Sequence, residues 1–292
     1  MSRTVAGILN WNQPEITIRC YESMKQLRGI DHIVIIDNGS DEVKRKRLKE
    51  YAIINHIKVI DERNWQDMDA TEVSDLLLLL ERNYGYAKAN NKGLRLSRAL
   101  GAKYYLLSNN DIVVENEGLV EELKKLLEKD PTVAVVGPRV KNRNGSIQAP
   151  VQSKGLFELG FVPLFYPMIL VFRKFGRRRR DSVSDETNAA SAYYPYYISG
   201  CFMLMDVEKL FEVELFDEHT FLFAEESILA ERLLKARYRI MYYPLIEVIH
   251  HHMYSTSHLK SRQVFCAFLY SNLYYLSRYK GFGVLRLGFV WF

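Results

Sequence analysis

Two asparagines and an aspartate directly follow an apolar run in the segment YLLSNND, residues 105–111. Asn and Asp initiate turns, so a turn is the simplest interpretation of this cluster. A carboxylate at the end of a strand can also bind Mg²⁺ or Mn²⁺, and the metal can then hold a diphosphate. Asp111 is therefore a candidate metal ligand, and the motif alone leaves both interpretations open.

A second polar cluster lies in the segment RNYGYAKANNKG, residues 82–93. Gly85 permits a close approach of the backbone or a positive φ, and a helix that begins here directs free N–H groups outward. Asn90, Asn91 and Lys92 add further hydrogen-bond donors. An ordinary helix start and a phosphate-binding helix start both fit this pattern.

Two acidic residues, Glu225 and Glu226, open a predicted helix at residues 225–237. Acidic side chains at a helix N-terminus interact favourably with the helix dipole, which is the simplest account of the pair. A carboxylate that points from such a position into a cleft can instead act as a general base.

Three consecutive histidines, residues 250–252, end a predicted strand. One imidazole there could complete a metal site with Asp111. Neighbouring residues of a strand point to opposite faces, so at most the outer two of the three histidines share a side. A structural or exposed histidine is the alternative.

The elements that must position these residues alternate between short apolar strands and helical patterns, which predicts an α/β fold with a mostly parallel sheet. Ligands of such sheets bind beyond the carboxyl ends of the strands, so Asn10, Asp37 and the 108–111 tip are expected to face one crevice. The run at 76–81 could be a strand or a buried helix. Predicted strands cover 4–11, 32–37, 57–61, 104–108, 133–138 and the pair 239–244 and 246–252; predicted helices begin at Pro14 and cover 41–51, 86–100, 117–129, 225–237 and 260–279.

The composition of the 292-residue chain is that of a soluble globular protein, with 48% hydrophobic and 26% charged residues. Three scattered cysteines suggest neither disulfides nor a zinc site, which favours a reducing cytoplasm. The N-terminus lacks the apolar region of a secretion signal, and the thirteen uncharged residues at 160–172 are too few to span a membrane. The net charge of +5 is concentrated in one short block at 173–180, which argues against nucleic-acid binding.

Taken together, these motifs resemble an inverting glycosyltransferase of family 2, which has the GT-A fold. The similarity is strongest to the branch that builds bacterial surface polysaccharides, particularly its rhamnosyltransferase-like members. It runs in order over most of the chain, through IIDNGSDE (35–42), NYGYAKANNKG (83–93), LLSNNDIVV (106–114), VGPRV (136–140), SGCFMLMD (199–206), FDEHTFLFAEESILAERL (216–233) and IEVIHHHMYST (246–256).

The resemblance implies a role for each matched residue in binding a UDP- or dTDP-linked sugar. Asp37 would accept a hydrogen bond from the pyrimidine, Asn10 would line the same pocket, and Asp111 with His250 would hold Mg²⁺ or Mn²⁺. Glu226 would be the catalytic base, with Glu225 as its alternative. The remaining residues expected around the nucleotide sugar are Asn83, Gly85, Asn90, Asn91, Asn109 and Asn110.

Two positions depart from the family pattern. Asn109 stands where the metal motif commonly has an aspartate, which leaves Asp111 as the one charged ligand of that motif. Glu226 stands where the family has an aspartate, so the base is one methylene longer. These departures leave open a catalytically silent subunit that binds sugar nucleotides or polysaccharide. A nucleotidyltransferase is a further alternative, although GILNWNQPE lacks the glycine-rich and basic phosphate loop of such enzymes.

The sequence also predicts how the chain is divided. Residues 1–140 would bind the nucleotide sugar, 141–195 would form an inserted apolar and arginine-rich excursion, 196–258 would bind the acceptor and carry the base, and 259–292 would form a helical tail. The resemblance implies a saccharide acceptor carried on a lipid such as a polyprenyl diphosphate. Arg177, Arg178, Arg179 and Arg180 would contact anionic headgroups. We therefore expect a cytoplasmic protein at the inner face of the cell membrane.

Overall fold

The computed structural model describes residues 2–65, 75–148, 150, 191–251 and 261–282. Ten strands occur in this part of the chain: β1 (Thr4–Asn10), β2 (His32–Asp37), β3 (Lys58–Asp61), β4 (Leu76–Leu79), β5 (Tyr104–Asn109), β6 (Ile112–Val113), β7 (Val133–Asn142), β8 (Ile147–Gln148), β9 (Phe202–Asp206) and β10 (Arg239–His250). The helices are α1 (Pro14–Met24), α2 (Glu42–Ile54), α3 (Tyr86–Ala99), α4 (Leu119–Lys129), α5 (Val207–Glu212), α6 (Glu225–Lys235) and α7 (Ser261–Tyr279).

The strands form one mixed sheet in the order β3-β4-β2-β1-β5-β9-β7-β10-β6, and β8 pairs with β7. The strands β3, β4, β2, β1 and β5 are all parallel, whereas β9 runs antiparallel to both of its neighbours. β1 and β2 are in register, with Asn10 opposite Asp37 at their carboxyl ends. The sheet therefore brings two of the predicted site residues side by side.

Helices cover both faces of the sheet and divide the apolar core into two layers. One layer packs α3, α5 and α6 against the sheet, through residues such as Leu94 and Leu233. The other packs α1, α2 and α4, through residues such as Tyr21 and Leu123. Covered on both faces, the inner strands are nearly continuous apolar runs, as expected of a buried parallel sheet.

This architecture confirms the predicted α/β class and settles the one ambiguous segment. The run at 76–81 forms β4, in which Leu76–Leu79 are all buried between β2 and β3. Four consecutive leucines suit a strand covered on both faces as well as a buried helix, which is why periodicity could not separate the two.

The predicted pair of strands at 239–252 is wrong, because one strand, β10, runs from Arg239 to His250. It follows β7 throughout, with a register shift between Tyr243 and Glu247. Pro244 lies within this irregularity. Proline has no N–H for the sheet ladder, and a bulge absorbs that loss without ending the strand.

Several predictions concern residues outside the described part of the chain. These are the apolar run at 160–172, the arginines at 177–180 and His252. The strands β7 and β10, which flank the predicted excursion at 141–195 in the sequence, pair along most of their lengths. Across the described ranges, none of the helices has the length and apolar character needed to cross a membrane.

Candidate functional site

The crevice at the carboxyl ends of β1 and β2 is built around Asn10 and Asp37. Asn10 Nδ2 donates to Asp37 Oδ1 at 2.7 Å, and Ser40 Oγ donates to the same oxygen. Arg45, in the first turn of α2, donates from Nε to Asp37 Oδ2 at 2.8 Å. The buried carboxylate is therefore paired with a cation, which offsets the cost of burying its charge.

The side chain of Asp37 is fully buried but has one acceptor position without a donor. A carboxylate offers about four acceptor positions on its two oxygens, and three are used by the donors of Asn10, Ser40 and Arg45. The remaining capacity is on Oδ2. This is the chemistry that a pyrimidine N–H requires.

Thr17 links this pocket to the polar tip after β5. Its hydroxyl donates to Asn10 Oδ1 at 2.7 Å and accepts from Asn110 Nδ2 at 2.9 Å. Asn110 Nδ2 also lies 3.3 Å from Gln13 Oε1. The Asn110 side chain thus fixes the tip to α1, and both Asn10 and Asn110 are nearly fully buried.

The loop between β4 and α3 is fixed to the β2 end by Asn38. Its side chain donates to Asn83 Oδ1 at 3.0 Å and to the Gly85 carbonyl at 3.2 Å. Gly85 has φ +81°, and a Cβ there would collide with the backbone of Phe221. The next residue, Tyr86, donates from its N–H to the Phe221 carbonyl at 2.9 Å. A glycine at position 85 therefore allows the nucleotide-side loop to contact the loop that leads to Glu225.

The amide of Asn91, a residue expected around the nucleotide sugar, has hydrogen-bond partners within the protein. Its Nδ2 donates to the Phe216 carbonyl at 2.9 Å and to Glu218 Oε1 at 3.0 Å, while its Oδ1 accepts from the Phe216 N–H at 3.1 Å. An amide used in this way ties α3 to the loop before α6. Asn90 lies at 0% exposure, donates to the Tyr86 carbonyl and keeps its Oδ1 without a hydrogen bond.

The structure brings Asp111 and His250 together. His250 Nε2 lies 3.0 Å from Asp111 Oδ1, and the N–H of His251 donates to the Asp111 carbonyl at 2.9 Å. Burial by itself lowers the pKa of His250, but its contacts with the Asp111 carboxylate and the Cys201 thiol raise it to about 10. The adjacent Asn109 is held through its backbone N–H, which donates to the Cys201 carbonyl at 2.8 Å.

The donor set of Asp111 and His250 fits a divalent cation. Asp111 Oδ1 is buried and lies in an ion pair with His250 Nε2, which a cation bound between the two side chains would replace. Neighbouring ligands of an octahedral cation, each about 2.1 Å from the metal, are about 3 Å apart, which matches the contact between the two side chains. Within the described ranges, no group of three or more His, Cys, Asp or Glu residues could hold a metal.

Glu225 and Glu226 begin α6 but occupy different environments. Glu225 is 3% exposed, and its Oε1 is buried without a hydrogen bond. Burial, followed by the neighbouring Glu226 carboxylate, raises the pKa of Glu225 to about 8. Glu226 is partly exposed, and its Oε1 accepts the Gly200 N–H at 3.1 Å. Of the two, Glu226 is the carboxylate that a ligand can reach.

The turn that presents these acids is strained. Phe223 has φ +75° and Ala224 has φ +67°, which is the left-handed region that non-glycine residues avoid. Residues held in this way cluster at functional sites, where the surrounding structure holds them in place. The two consecutive left-handed residues change the direction of the chain immediately before Glu225.

A network that the sequence motifs did not indicate holds the same loop from the other side. The buried Asp217 accepts hydrogen bonds from Tyr274 at 2.9 Å, from Tyr279, and from the N–H of His219 at 3.0 Å. Arg232 lies 3.2 Å from the same carboxylate, so its ionic partner precedes α6 and is not an acid of that helix. Buried tyrosines usually bond their hydroxyls, but nothing in the sequence singles out this acceptor.

Comparison with solved structures identifies the fold. The crystal structure of GalNAc-T7 with UDP, GalNAc and Mn²⁺ matches 87% of this chain with TM-score 0.59 and 14% identity. The structure of TarS from S. aureus matches 86% with TM-score 0.53 and 13% identity. The chain has the GT-A fold of these glycosyltransferases.

Both matched chains are much longer than this one. The matches cover 45% of the GalNAc-T7 chain and 37% of the TarS chain, so this protein spans less than half the length of either. No family model matches the sequence, and no curated protein matches it.

Proposed function

We propose that this protein is an inverting glycosyltransferase of family 2. It would transfer a sugar from a UDP- or dTDP-linked donor to a hydroxyl of a saccharide acceptor, in the manner of the rhamnosyltransferase-like enzymes of bacterial surface polysaccharide synthesis. The observation that carries the proposal is the pairing of Asp111 with His250, 3.0 Å apart at the end of the sheet in a GT-A fold.

The nucleotide would occupy the crevice beside β1 and β2. Asp37 Oδ2 would accept a hydrogen bond from the pyrimidine, and Asn10 would line the pocket, held in place by Thr17. The loop that contains Asn83 and Gly85 would lie beneath the ribose and diphosphate. Its backbone is fixed by Asn38, which would hold the loop in place when a ligand binds.

Asp111 and His250 would hold Mg²⁺ or Mn²⁺, and the crystal structure of GalNAc-T7, one of the two solved neighbours, contains Mn²⁺. The cation supplies positive charge beside the diphosphate, which is the leaving group of the reaction. The chain's own contribution is a buried carboxylate oxygen and a buried imidazole beside it.

Glu226 would act as the base, in preference to Glu225. As the acceptor oxygen attacks the anomeric carbon, its proton passes to a Glu226 carboxylate oxygen. The bond between the anomeric carbon and the phosphate oxygen breaks, and its electron pair leaves with the nucleoside diphosphate. Attack from the face opposite the leaving group inverts the anomeric centre. The N–H of Gly200 holds the carboxylate in place for this step.

A lipid-linked acceptor would place the protein at the cytoplasmic face of the membrane. The support for this comes from the sequence, in the apolar run at 160–172 and the basic run Arg177–Arg180. Flotation with anionic liposomes tests it, using a variant with all four arginines replaced by glutamine. Equal recovery of both proteins would remove the basic run from the proposal.

Calorimetric titration with UDP, dTDP and GDP, each with and without Mn²⁺, tests the site itself. We expect one pyrimidine diphosphate to bind in a metal-dependent manner to the wild type and to Asp41→Ala, an exposed control. Asp111→Ala should lose the metal dependence. If no diphosphate binds, the glycosyltransferase proposal fails.

The binding-subunit alternative is separated by a second variant. Glu226→Gln should bind the diphosphate as the wild type does, yet release none from the matching nucleotide sugars when acceptors are supplied. A wild type that binds the diphosphate but turns over no nucleotide sugar would favour a catalytically silent binding subunit.

A further inference from the structure

The second ring nitrogen of His250 is held by a residue outside every motif considered so far. Gln148 Nε2, on the short strand β8, lies 2.8 Å from His250 Nδ1. We infer that Gln148 is a positioning residue: by holding Nδ1, it keeps Nε2 of His250 directed at the place beside Asp111 where a divalent cation would bind. This inference rests on the metal centre of the proposed function.

Gln148 can serve this purpose because its own amide is anchored at both ends. Ser199 Oγ donates to Gln148 Oε1 at 2.7 Å, and Gln148 Nε2 donates to Asn142 Oδ1 at 2.8 Å. Asn142 is the last residue of β7, and Ser199 precedes β9. The amide is thus fixed by two other segments before it meets the imidazole of His250.

The hairpin between β7 and β8 places Gln148 at this position. Gln148 pairs with Val140, and Asn142 lies opposite His250 in the register of β7 and β10. The hairpin turn is closed by Asn142, whose N–H donates to the Ser146 carbonyl at 2.7 Å. The positioning contact therefore crosses from β8, past β7, to the end of β10.

An uncharged amide suits both states of the histidine. A neutral ring can accept at Nδ1 from the amide N–H. A ring with a proton on Nδ1, as when a cation would occupy Nε2 or when both nitrogens carry protons, requires an acceptor, which the Gln148 amide provides when its oxygen and nitrogen exchange places. Asn142 would exchange its amide at the same time, so that its Nδ2 donates to Gln148 Oε1 and its Oδ1 accepts from the Ser146 hydroxyl. The Ser199 hydroxyl donates or accepts with equal ease, so it satisfies Gln148 in either orientation.

This arrangement is the outer shell that orients a ligating histidine. Such a partner fixes the ring and the nitrogen that binds the metal, and its loss costs about 10- to 100-fold in metal affinity. A carboxylate at the same position makes a stronger hydrogen bond to the ring N–H and raises the basicity of the ligand. Replacing Gln148 by an apolar or an acidic residue should therefore have opposite consequences.

The test is Mn²⁺ binding, followed by the electron paramagnetic resonance signal of the free ion, in the presence and absence of UDP. We expect Gln148→Met, which keeps the length of the side chain, to bind Mn²⁺ about 10- to 100-fold more weakly than the wild type. Gln148→Glu should bind at least as tightly as the wild type. Ile147→Val, at the preceding position of the same strand, is the control for disturbance of the hairpin and should not differ.

The ¹⁵N chemical shifts of the His250 ring give a readout in the protein without metal. Gln148→Met should shift the Nδ1 resonance, because it removes the hydrogen-bond partner of that nitrogen. Wild-type Mn²⁺ affinity in Gln148→Met, or equal weakening in the Met and Glu variants, would overturn the positioning role while leaving the metal centre intact. Absence of Mn²⁺ binding by the wild type would overturn the metal centre and this inference together.

Discussion

The backbone N–H of Gly200 donates to Glu226 Oε1 at 3.1 Å, which ties the start of α6 to the segment before β9. Tyr86 completes the contact, because its hydroxyl donates to the Gly200 carbonyl. The N–H of Gly200 thus bonds the proposed base, and its carbonyl bonds Tyr86, the first residue of α3. A Cβ at this position would collide with Glu226 Oε1 and the Tyr86 hydroxyl.

Gly200→Ala should therefore reduce transfer without unfolding the protein. The added methyl group displaces the Glu226 carboxylate, and a misplacement of about 1 Å in a catalytic group costs about 100-fold in rate. The measurement is the rate of nucleoside diphosphate release beside the diphosphate affinity, which should not change. Gly118→Ala is the control, since its Cβ would meet only flexible side-chain ends. Equal rates in the two variants would contradict the role of Gly200.

The stability of the fold should depend on the protonation of Glu225. Its pKa is raised to about 8 by burial and by Glu226, from an ordinary value of 4.5. The folded protein holds this proton more tightly than the unfolded chain. The stabilisation that protonated Glu225 provides is complete below the pKa of this residue in the unfolded chain. It is lost as the pH rises through the pKa of the residue in the folded protein.

Glu225→Gln removes this titration. The free energy of unfolding of the variant, relative to that of the wild type, should therefore increase as the pH rises from about 5 to about 8. Urea denaturation at several pH values measures the difference. Glu42→Gln replaces an exposed acid in the first turn of α2. Its free energy of unfolding should differ from that of the wild type by a constant amount across the same pH range. A constant offset between Glu225→Gln and the wild type would show that Glu225 does not carry a raised pKa.

The contribution of Asp217 to stability should have the opposite pH dependence. Burial raises the pKa of this carboxyl, but hydrogen bonds from Tyr279, His219 and Tyr274 outweigh burial and lower it to about 2. Its contribution is present above the unfolded pKa and is lost as the pH falls from about 4 to about 2, a loss of roughly 2 kcal/mol. Asp217→Asn should be less stable at neutral pH and should converge on the wild type in acid, as measured by thermal unfolding. Asp41→Asn, an exposed change, should show no such convergence.

Replacing Ala224 by glycine should relieve the backbone strain before α6. Ala224 has φ +67°, a conformation that costs an L-residue about 1 kcal/mol or more and costs glycine little. Ala224→Gly should therefore be neutral or stabilising by up to about 0.5 kcal/mol, after the greater freedom of glycine in the unfolded chain is counted. Ala99→Gly, at an exposed position at the end of α3, should destabilise by up to about 1 kcal/mol. Equal losses at both positions, measured in urea, would show that the strain is absent.

The sequence predicted most elements of the fold because apolar runs and turn residues report local structure. The strands ending at Asn10 and Asp37 were predicted within one residue, and the rule that ligands bind at carboxyl ends placed both in one crevice. Where a pattern suited two structures, as at 76–81, only the pairing of β4 with its neighbours decided the outcome.

Contacts between distant segments were beyond sequence reasoning. The Asn91 amide bonds residues 125 and 127 positions later, which its local motif does not indicate. Thr17 and Gln148 lie in no motif, and Asp217 lies in one without an assigned role. Each acts through a partner that only the assembled sheet or α7 brings near. The difference in burial between Glu225 and Glu226 likewise depends on how α6 packs, so the two acids could not be told apart from their spacing.

The tyrosines that fix the loop before α6 lie 57 and 62 residues after Asp217 in the chain. Synthesis proceeds from the N-terminus, so the ribosome delivers β1, β2 and β5 well before it delivers α7. Until Tyr274 and Tyr279 emerge, the Asp217 carboxylate lacks two of its hydrogen-bond donors, and the segment before Glu226 lacks the contacts with α7. In a nascent chain, the crevice at the ends of β1 and β2 would therefore form early, and the final alignment of the proposed base would come late.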